Sequence, residues 1–388
     1  MSFKKVFVKR KKTIKHYLWI LRNEVIKKDK ELKKGDICSV YEDDKFIGNG
    51  LFNWESKIAI RLYSFKDEDF DVPLIKERIL KAYQYRKEVL PDEEDFRLVY
   101  GESDLLTGTV IDKYQNHFVV QIYSYGVEIR KEKIFQALIE LFEVKSIFEK
   151  NDFRLRELEK LPRYDRLAYG ELDDLVIIKE NGVKFYVDIK NGQKTGYFFD
   201  HRITRRKVRE LAKDKKVLDV FCYTGSFSIN AALGGAKETL GIDGNNQAIE
   251  LAKKNAELNK VEKICHFFVG NAFNELRNLY KNGMTFDLII LDPPPFLKSR
   301  KELSGALRGY KDINLWAMKL LKPGGILVTS TCSHHFYWQD FLDTLNAAAE
   351  DAKKNFRIIE RTTQGPDHPI LLSMPETEYL RTFFLEVF

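Results

Sequence analysis

The run Asp287-Leu288-Ile289-Ile290-Leu291 ends abruptly at Asp292-Pro293-Pro294-Pro295-Phe296. An apolar stretch of strand length with no polar alternation has to be covered on both faces, which places it inside a parallel sheet flanked by helices. Proline cannot donate to a strand ladder, so the three prolines end the strand and leave an acid and an aromatic ring at its carboxyl end. The next strand-like run, Gly325–Ser330, delivers a cysteine to the same edge in Thr331-Cys332-Ser333. Ligands of open α/β sheets bind at the carboxyl ends of the strands, so Asp292, Phe296 and Cys332 are expected to converge on one pocket.

The rest of the chain from about residue 190 supports that architecture. Strands are expected at Val217–Phe221, Thr239–Ile242, His266–Val269, Leu288–Leu291 and Ile326–Ser330. Helices are expected at 225–233, 247–258 and 336–348. Strands alternating with helices specify a doubly wound, mostly parallel Rossmann-like sheet.

The N-terminal part reads differently. Strand-like runs at Phe3–Val8, Asp36–Tyr41, Lys45–Phe52 and Ile58–Tyr63, punctuated by Gly35, Gly48 and Gly50, predict a small β-rich module, with a short helix over Leu18–Val25. A mixed α+β segment follows. Its expected helices are Ile75–Val89 and Glu128–Phe142, and its expected strands are Phe96–Tyr100, Thr109–Tyr114, His117–Tyr123 and Ser146–Glu149. A hairpin is expected around Asn181-Gly182. The expected domains are 1–68, 69–188 and 189–388; 388 residues exceed what one core usually serves.

Charge is placed unevenly. Residues 1–34 hold 13 Lys or Arg against 3 acids, a local excess of +10 in a chain whose net charge is +7. A basic arm on a nearly neutral body points to a polyanion, with Lys9, Lys11 and Lys12 as candidate contacts; a solvated, lysine-rich surface is the plainer alternative. No apolar stretch is long enough to span a bilayer, so no membrane partner is expected. The four cysteines form no Cys-x-x-Cys pair, which fits a reducing cytoplasm and gives no zinc signature. His334-His335 lack partner ligands at metal spacing.

The first strand-to-helix turn, Asp219-Val220-Phe221-Cys222-Tyr223-Thr224-Gly225, has one glycine where a dinucleotide fold needs three. It suits an adenosine ligand without a pyrophosphate. Asp243, ending the second strand, is placed to accept from ribose hydroxyls, and Asn271-Ala272 follow the third strand where adenine would be read. S-adenosylmethionine fits this layout. Cys222 is expected to pack as a small hydrophobe.

At these residues the chain resembles the family of class I methyltransferases that modify carbon 5 of cytosine in large-subunit ribosomal RNA. Gly35-Asp36 and Phe46–Asn53 resemble the family's PUA domain, an RNA-binding β-barrel. Gly101–Gly108 and Val110–Tyr114 resemble its linking domain. Asn191-Gly192-Gln193-Lys194-Thr195-Gly196-Tyr197-Phe198-Phe199-Asp200-His201-Arg202 resembles the lead-in to its cofactor site. The resemblance implies that Gln193, Tyr197, Asp200 and Arg202, with Asp219, Phe221, Tyr223, Thr224, Gly225, Asp243, Asn271, Ala272 and Asp292, line the S-adenosylmethionine pocket. It also implies 23S ribosomal RNA or its assembly intermediate as partner, with a homodimer among the expected assemblies. Two departures stand out: Asn271 replaces an acid common in methyltransferases, and Pro295 stands where other RNA cytosine-5 enzymes carry a second cysteine.

Carbon 5 of cytosine is a poor nucleophile until a thiolate adds at carbon 6. Cys332 is the candidate thiolate, and needs an environment that lowers its pKa. Asp292 is the candidate group that hydrogen-bonds the ring nitrogen and exocyclic amine, and must carry a proton to donate. Pro293, Pro294 and Phe296 would hold the base, Phe296 by stacking. Two alternatives remain at this level: methylation of a guanine or adenine amine through the same Asp-Pro-Pro motif, and an RNA-binding assembly protein without catalysis.

Overall fold

The computed structural model describes residues 3–11, 14–296, 303–333 and 336–388. Lys12 and His334-His335 lie outside them. The chain divides into two compact units that do not follow chain order: 1–178 with 187–199 and 366–377, and 179–186 with 200–365 and 378–388.

The first unit begins with a six-stranded sheet: β1 (Lys4–Val8), β2 (Trp19–Leu21), β3 (Val25–Lys28), β4 (Ile37–Glu42), β5 (Lys45–Phe52) and β6 (Ile58–Ser64), in the order β2-β6-β5-β4-β1-β3. The two edge strands, β2 and β3, are consecutive in sequence and joined by a single 3-10 turn, Arg22–Glu24. Three residues cannot bridge an open six-stranded sheet whose strands are about 4.8 Å apart. The sheet therefore curls on itself around Val6, Val8, Leu18, Ile20, Val40 and Ile60. The helix expected over Leu18–Val25 is replaced by this strand–turn–strand. Trp19 and Ile20 pair with Arg61 and Ile60 of β6, so sheet pairing overrides a local helical pattern.

A second sheet, β7 (Phe96–Tyr100), β8 (Thr109–Tyr114), β9 (His117–Ile122), β10 (Ser146–Lys150) and β11 (Asp165–Gly170), runs in the order β11-β10-β9-β8-β7. Helix α1 (Val72–Val89) begins at Asp71, whose carboxylate accepts from Leu74 N. The helix expected over Glu128–Phe142 is two helices, α2 (Tyr125–Glu128) and α3 (Lys131–Leu141). Apolar residues of α1 and α3 share one core with this sheet.

The two sheets are locked together by buried charge. Arg61 of β6 reaches Glu102 at 3.0 Å and Glu159 at 3.3 Å, and Trp19 Nε1 and Thr107 Oγ1 also donate to Glu102. Removing one member of such a set leaves an uncompensated buried charge, which costs roughly 3–5 kcal/mol. The segment 366–377 returns to this unit, where Met374 joins the curled sheet's core and Arg86 donates to Asp367 O.

A hairpin, β12 (Val176–Glu180) and β13 (Val183–Val187), turns at Asn181-Gly182 as expected. The second unit then supplies α4 (Arg202–Leu211), β14 (Lys216–Val220), α5 (Ser226–Leu233), β15 (Glu238–Asp243), α6 (Asn246–Leu258), β16 (Cys265–Val269), α7 (Ala272–Lys281), β17 (Phe286–Leu291), α8 (Leu303–Leu320), β18 (Leu321–Thr331), α9 (Trp338–Ala352), β19 (Phe356–Thr362) and β20 (Arg381–Val387). Its sheet order is β16-β15-β14-β17-β18-β20-β19, parallel through β18 and antiparallel at β20 and β19. Every residue from Leu288 to Leu291 is fully buried, as the unbroken apolar run requires. Strand order reverses between β14 and β17, so the carboxyl ends of these two strands form the fold's ligand crevice.

Candidate active site at the carboxyl edge of the second sheet

The turn after β14 is built for close approach. Phe221, Tyr223 and Gly225 all have positive φ, at 67°, 48° and 81°. Left-handed backbone at two non-glycine residues costs free energy that the surroundings must hold in place, which marks a functional turn. A side chain at Gly225 would meet the Phe267 ring at 2.8 Å and Ala252 at 3.1 Å, so only glycine fits there.

Asp219 lies under this turn and is fully buried. Its Oδ2 accepts from Ser228 N at 3.0 Å and Ser228 Oγ at 2.7 Å, while Oδ1 has no hydrogen-bond partner among the described residues. Burial pushes its pKa up to about 7, opposed by the two Ser228 bonds and aided by Asp292 and Asp243. Asp243 ends β15 with both oxygens oriented: Oδ2 accepts from Tyr223 N and Oδ1 from Asn245 N, each at 2.9 Å. The N-cap of α6 is Asn245, not Asp243, so the acid is not spent on capping.

Asn271 caps α7, its side-chain oxygen accepting from Phe273 N and Asn274 N. That leaves its amide group to donate. An adenine ring nitrogen suits it, and the exocyclic amine needs an acceptor elsewhere. The buried acceptor on Asp219, the oriented acid on Asp243 and the donor on Asn271 fit an adenosine-type cofactor.

Asp292 leaves β17 and Cys332 leaves β18. These strands are parallel neighbours with Leu291 opposite Thr329, so the acid and the thiol emerge on the same edge. Asp292 does not act alone. His201 Nε2 faces its Oδ1 at 3.0 Å. The imidazole lies edge-on to Phe227, and its Nδ1 is buried with no hydrogen-bond partner among the described residues. Burial opposes charge on His201, but the carboxylate of Asp292 outweighs it and raises the histidine's pKa.

Of the four unbridged cysteines only Cys332 is partly exposed. Burial raises the pKa of the other three, pushing Cys265 to about 11. Cys332 is framed by a single buried phenol. Thr331 Oγ1 donates to the Tyr310 hydroxyl at 2.9 Å, and Ser333 Oγ lies 3.1 Å from it. Burial, then the charge at Cys332, raise the Tyr310 pKa to about 12, so it stays a neutral hydroxyl. Phe296, expected to stack on a base, packs against Tyr310 at 4.8 Å and Phe273 at 5.8 Å between centroids.

The remaining expected residues divide between the units. Thr224 and Ala272 are buried beside the turn and at the start of α7. Asp200 and Arg202 are buried in the second unit, where Asp200 Oδ2 accepts from Tyr379 at 2.5 Å. Gln193 and Tyr197 belong to the first unit, the former exposed, the latter buried edge-on to Phe199. Lys9 and Lys11 are exposed. His201 and Tyr310 were not anticipated. An ionisable residue between Asp200 and Arg202 was a readable signal for the first. Tyr310 gave none, because it lies on a helix that the sequence pattern did not expose.

Residues 164–376 match the model of an S-adenosylmethionine-dependent methyltransferase family, and residues 8–65 that of a PUA-like domain. The chain is 39% identical over 378 residues to the ribosomal RNA large subunit methyltransferase I of Tolumonas auensis, covering 96% of this chain and 95% of that one. It is 34% identical to the protein of that name from an Enterobacter species, over 100% of both chains. Among solved structures, the methyltransferase SMU.776 in complex with SAH superposes with a TM-score of 0.85 at 22% identity over 100% of both chains, a likeness of fold.

Proposed function

Because the chain belongs to the ribosomal RNA large subunit methyltransferase I family and is an S-adenosylmethionine-dependent methyltransferase, we propose that it methylates carbon 5 of a cytosine in 23S ribosomal RNA or an assembly intermediate. In this reading residues 1–68 hold RNA, 69–188 link, and 189–388 carry the chemistry. Ribosomal RNA as substrate would place its work in the cytoplasm. Among the described residues no helix is long and apolar enough to cross a membrane.

The observation that carries the reading is the emergence of Asp292 and Cys332 from neighbouring parallel strands. S-adenosylmethionine would supply an electrophilic methyl group when bound; Asp243 would accept from its ribose hydroxyls, and the turn at 221–225 would help to hold it. The Cys332 thiolate adds to carbon 6 of the cytosine, and the electron pair moves to the ring. A proton supplied through the His201–Asp292 pair lets Asp292 donate to the ring nitrogen while it accepts from the exocyclic amine, stabilising the negative charge that develops on the ring. His201 fixes Asp292 Oδ1, which leaves Oδ2 to face the base. Tyr310 fixes the residues on both sides of Cys332, so the thiol approaches the base in one geometry. Pro295 cannot act as a base, so solvent or another group takes the carbon 5 proton before Cys332 leaves.

Mass spectrometry of nuclease-mapped ribosomal RNA tests this. A strain lacking the protein should lose one 5-methylcytosine from large-subunit RNA and regain it with the wild-type chain. Loss of an N-methylated guanine or adenine instead would transfer the chemistry to an amine and make Cys332 dispensable.

A further inference from the structure

Strand register places one residue from each of four adjacent strands in a row. Lys27 of β3 lies opposite Phe7 of β1, Phe7 opposite Tyr41 of β4, and Tyr41 opposite Phe46 of β5. Residues directly opposite one another point to the same face of a sheet. The neighbours Val6, Val8 and Val40 are at most 2% exposed and form the inner core, so the row faces outward. All three rings are half-buried and Lys27 is exposed.

The rings form a continuous strip. Phe7 and Tyr41 have centroids 5.6 Å apart with planes 30° from parallel, and Tyr41 and Phe46 are 5.8 Å apart. Lys5 Nζ sits 5.2 Å from the Tyr41 centroid. The acid next to Tyr41, Glu42, is occupied by Arg10, which donates from Nε, Nη2 and its backbone N. Asp43 and Asp44 close the turn at the Phe46 end and repel phosphate there, which directs a polyanion toward Lys5 and Lys27.

We propose that this strip is a stacking platform for unpaired bases of RNA, with Phe7, Tyr41 and Phe46 taking base faces and Lys5 and Lys27 taking phosphates. Aromatic rings interleaved with lysines on an open sheet face suit single-stranded nucleic acid, since every base has a π face and every linkage a charge. A protein partner would need no such row of ammonium groups. The inference rests on the reading of RNA as substrate and names the surface that would grip it.

Fluorescence anisotropy with full-length protein tests it, using a short single-stranded RNA and the same backbone without bases. Wild type should prefer the base-bearing strand by about 10-fold or more. Tyr41→Ala should cut that preference several-fold without changing the salt slope, and Tyr41→Trp should keep it. Lys5→Gln and Lys27→Gln should each flatten the slope by roughly 0.7, the single-strand value for one phosphate contact. Phe46→Thr, a strand-compatible change on the same row, gives the same reading if Tyr41→Ala fails to fold by circular dichroism. If the aromatic variants keep the wild-type preference, the platform is refuted and the RNA reading stands. If wild type binds neither strand, the RNA reading falls and takes the platform with it.

Discussion

His201 Nε2 lies 3.0 Å from Asp292 Oδ1, so the acid at the end of β17 belongs to a coupled pair. A hydrogen bond to a charged group is worth roughly 1.5–3 kcal/mol. His201→Leu should therefore lower kcat/KM by about 10-fold or more, with cofactor affinity little changed. The pH dependence of stability has a definite sign. The histidine's pKa is raised in the folded chain, so its contribution is fully present below the unfolded value of about 6.5 and fades as pH rises through the folded value. Thermal melts of wild type against His201→Gln, whose amide keeps a donor but does not titrate, should differ more in acid than in alkali. Parallel melting profiles would remove His201 from the account.

Asp219 gives a second pH signature. Its carboxyl titrates near 7 when folded because burial penalises its charge, against about 3.9 unfolded. The folded chain thus binds this proton more tightly, and stability is lost between about pH 4 and pH 7 as the group ionises. Asp219→Asn keeps an acceptor for Ser228 and removes the ionisation. Its melting temperature relative to wild type should rise as pH increases through that window. A constant difference across the window would mean that burial of Asp219 is not the controlling cost.

Much of this was legible in the sequence where one physical constraint dominated. The apolar run before Asp292 could only be a central parallel strand, and the Lys45–Phe52 and Ile58–Tyr63 strands followed from their β-formers, the second ending one residue later at Ser64. Three features depended on tertiary context. Trp19–Leu21 pairs with β6 against its local pattern. The antiparallel strands β19 and β20 lack an alternation that distinguishes them from loop. Residues Gln193 and Tyr197, sequence neighbours of Asp200, fall in the other compact unit, because the chain crosses between units at Phe199 and Asp200. Phe296 shows the same limit: its ring is held by Tyr310 and Phe273, partners far away in sequence.

Asp243 accepts from Tyr223 N and Asn245 N, one bond on each oxygen, so each oxygen keeps a lone pair to accept from a further donor. Asp243→Ala should weaken S-adenosylmethionine binding by about 1–3 kcal/mol, the cost of leaving buried donors unpaired. Isothermal calorimetry reads this directly. An unchanged dissociation constant would refute the ribose role.

Tyr310 positions the cysteine turn through Thr331 and Ser333. Tyr310→Phe keeps the ring that stacks on Phe336 and removes only the hydroxyl. Turnover should fall by about 10-fold with KM for RNA nearly constant, since geometry at the reacting atom is lost and binding is not. Equal loss in KM would indicate a general loosening of the aromatic cluster instead.

The central claim is that Cys332 attacks a cytosine of large-subunit RNA. Incubating the protein and S-adenosylmethionine with RNA containing 5-fluorocytosine blocks removal of the carbon 5 substituent, so the thiol adduct cannot resolve. Peptide mass spectrometry should find the nucleotide attached to the peptide containing Thr331-Cys332-Ser333, and Cys332→Ala should neither turn over nor form the adduct while still binding cofactor. An adduct on Cys222 or Cys265, or full activity in Cys332→Ala, would contradict the account.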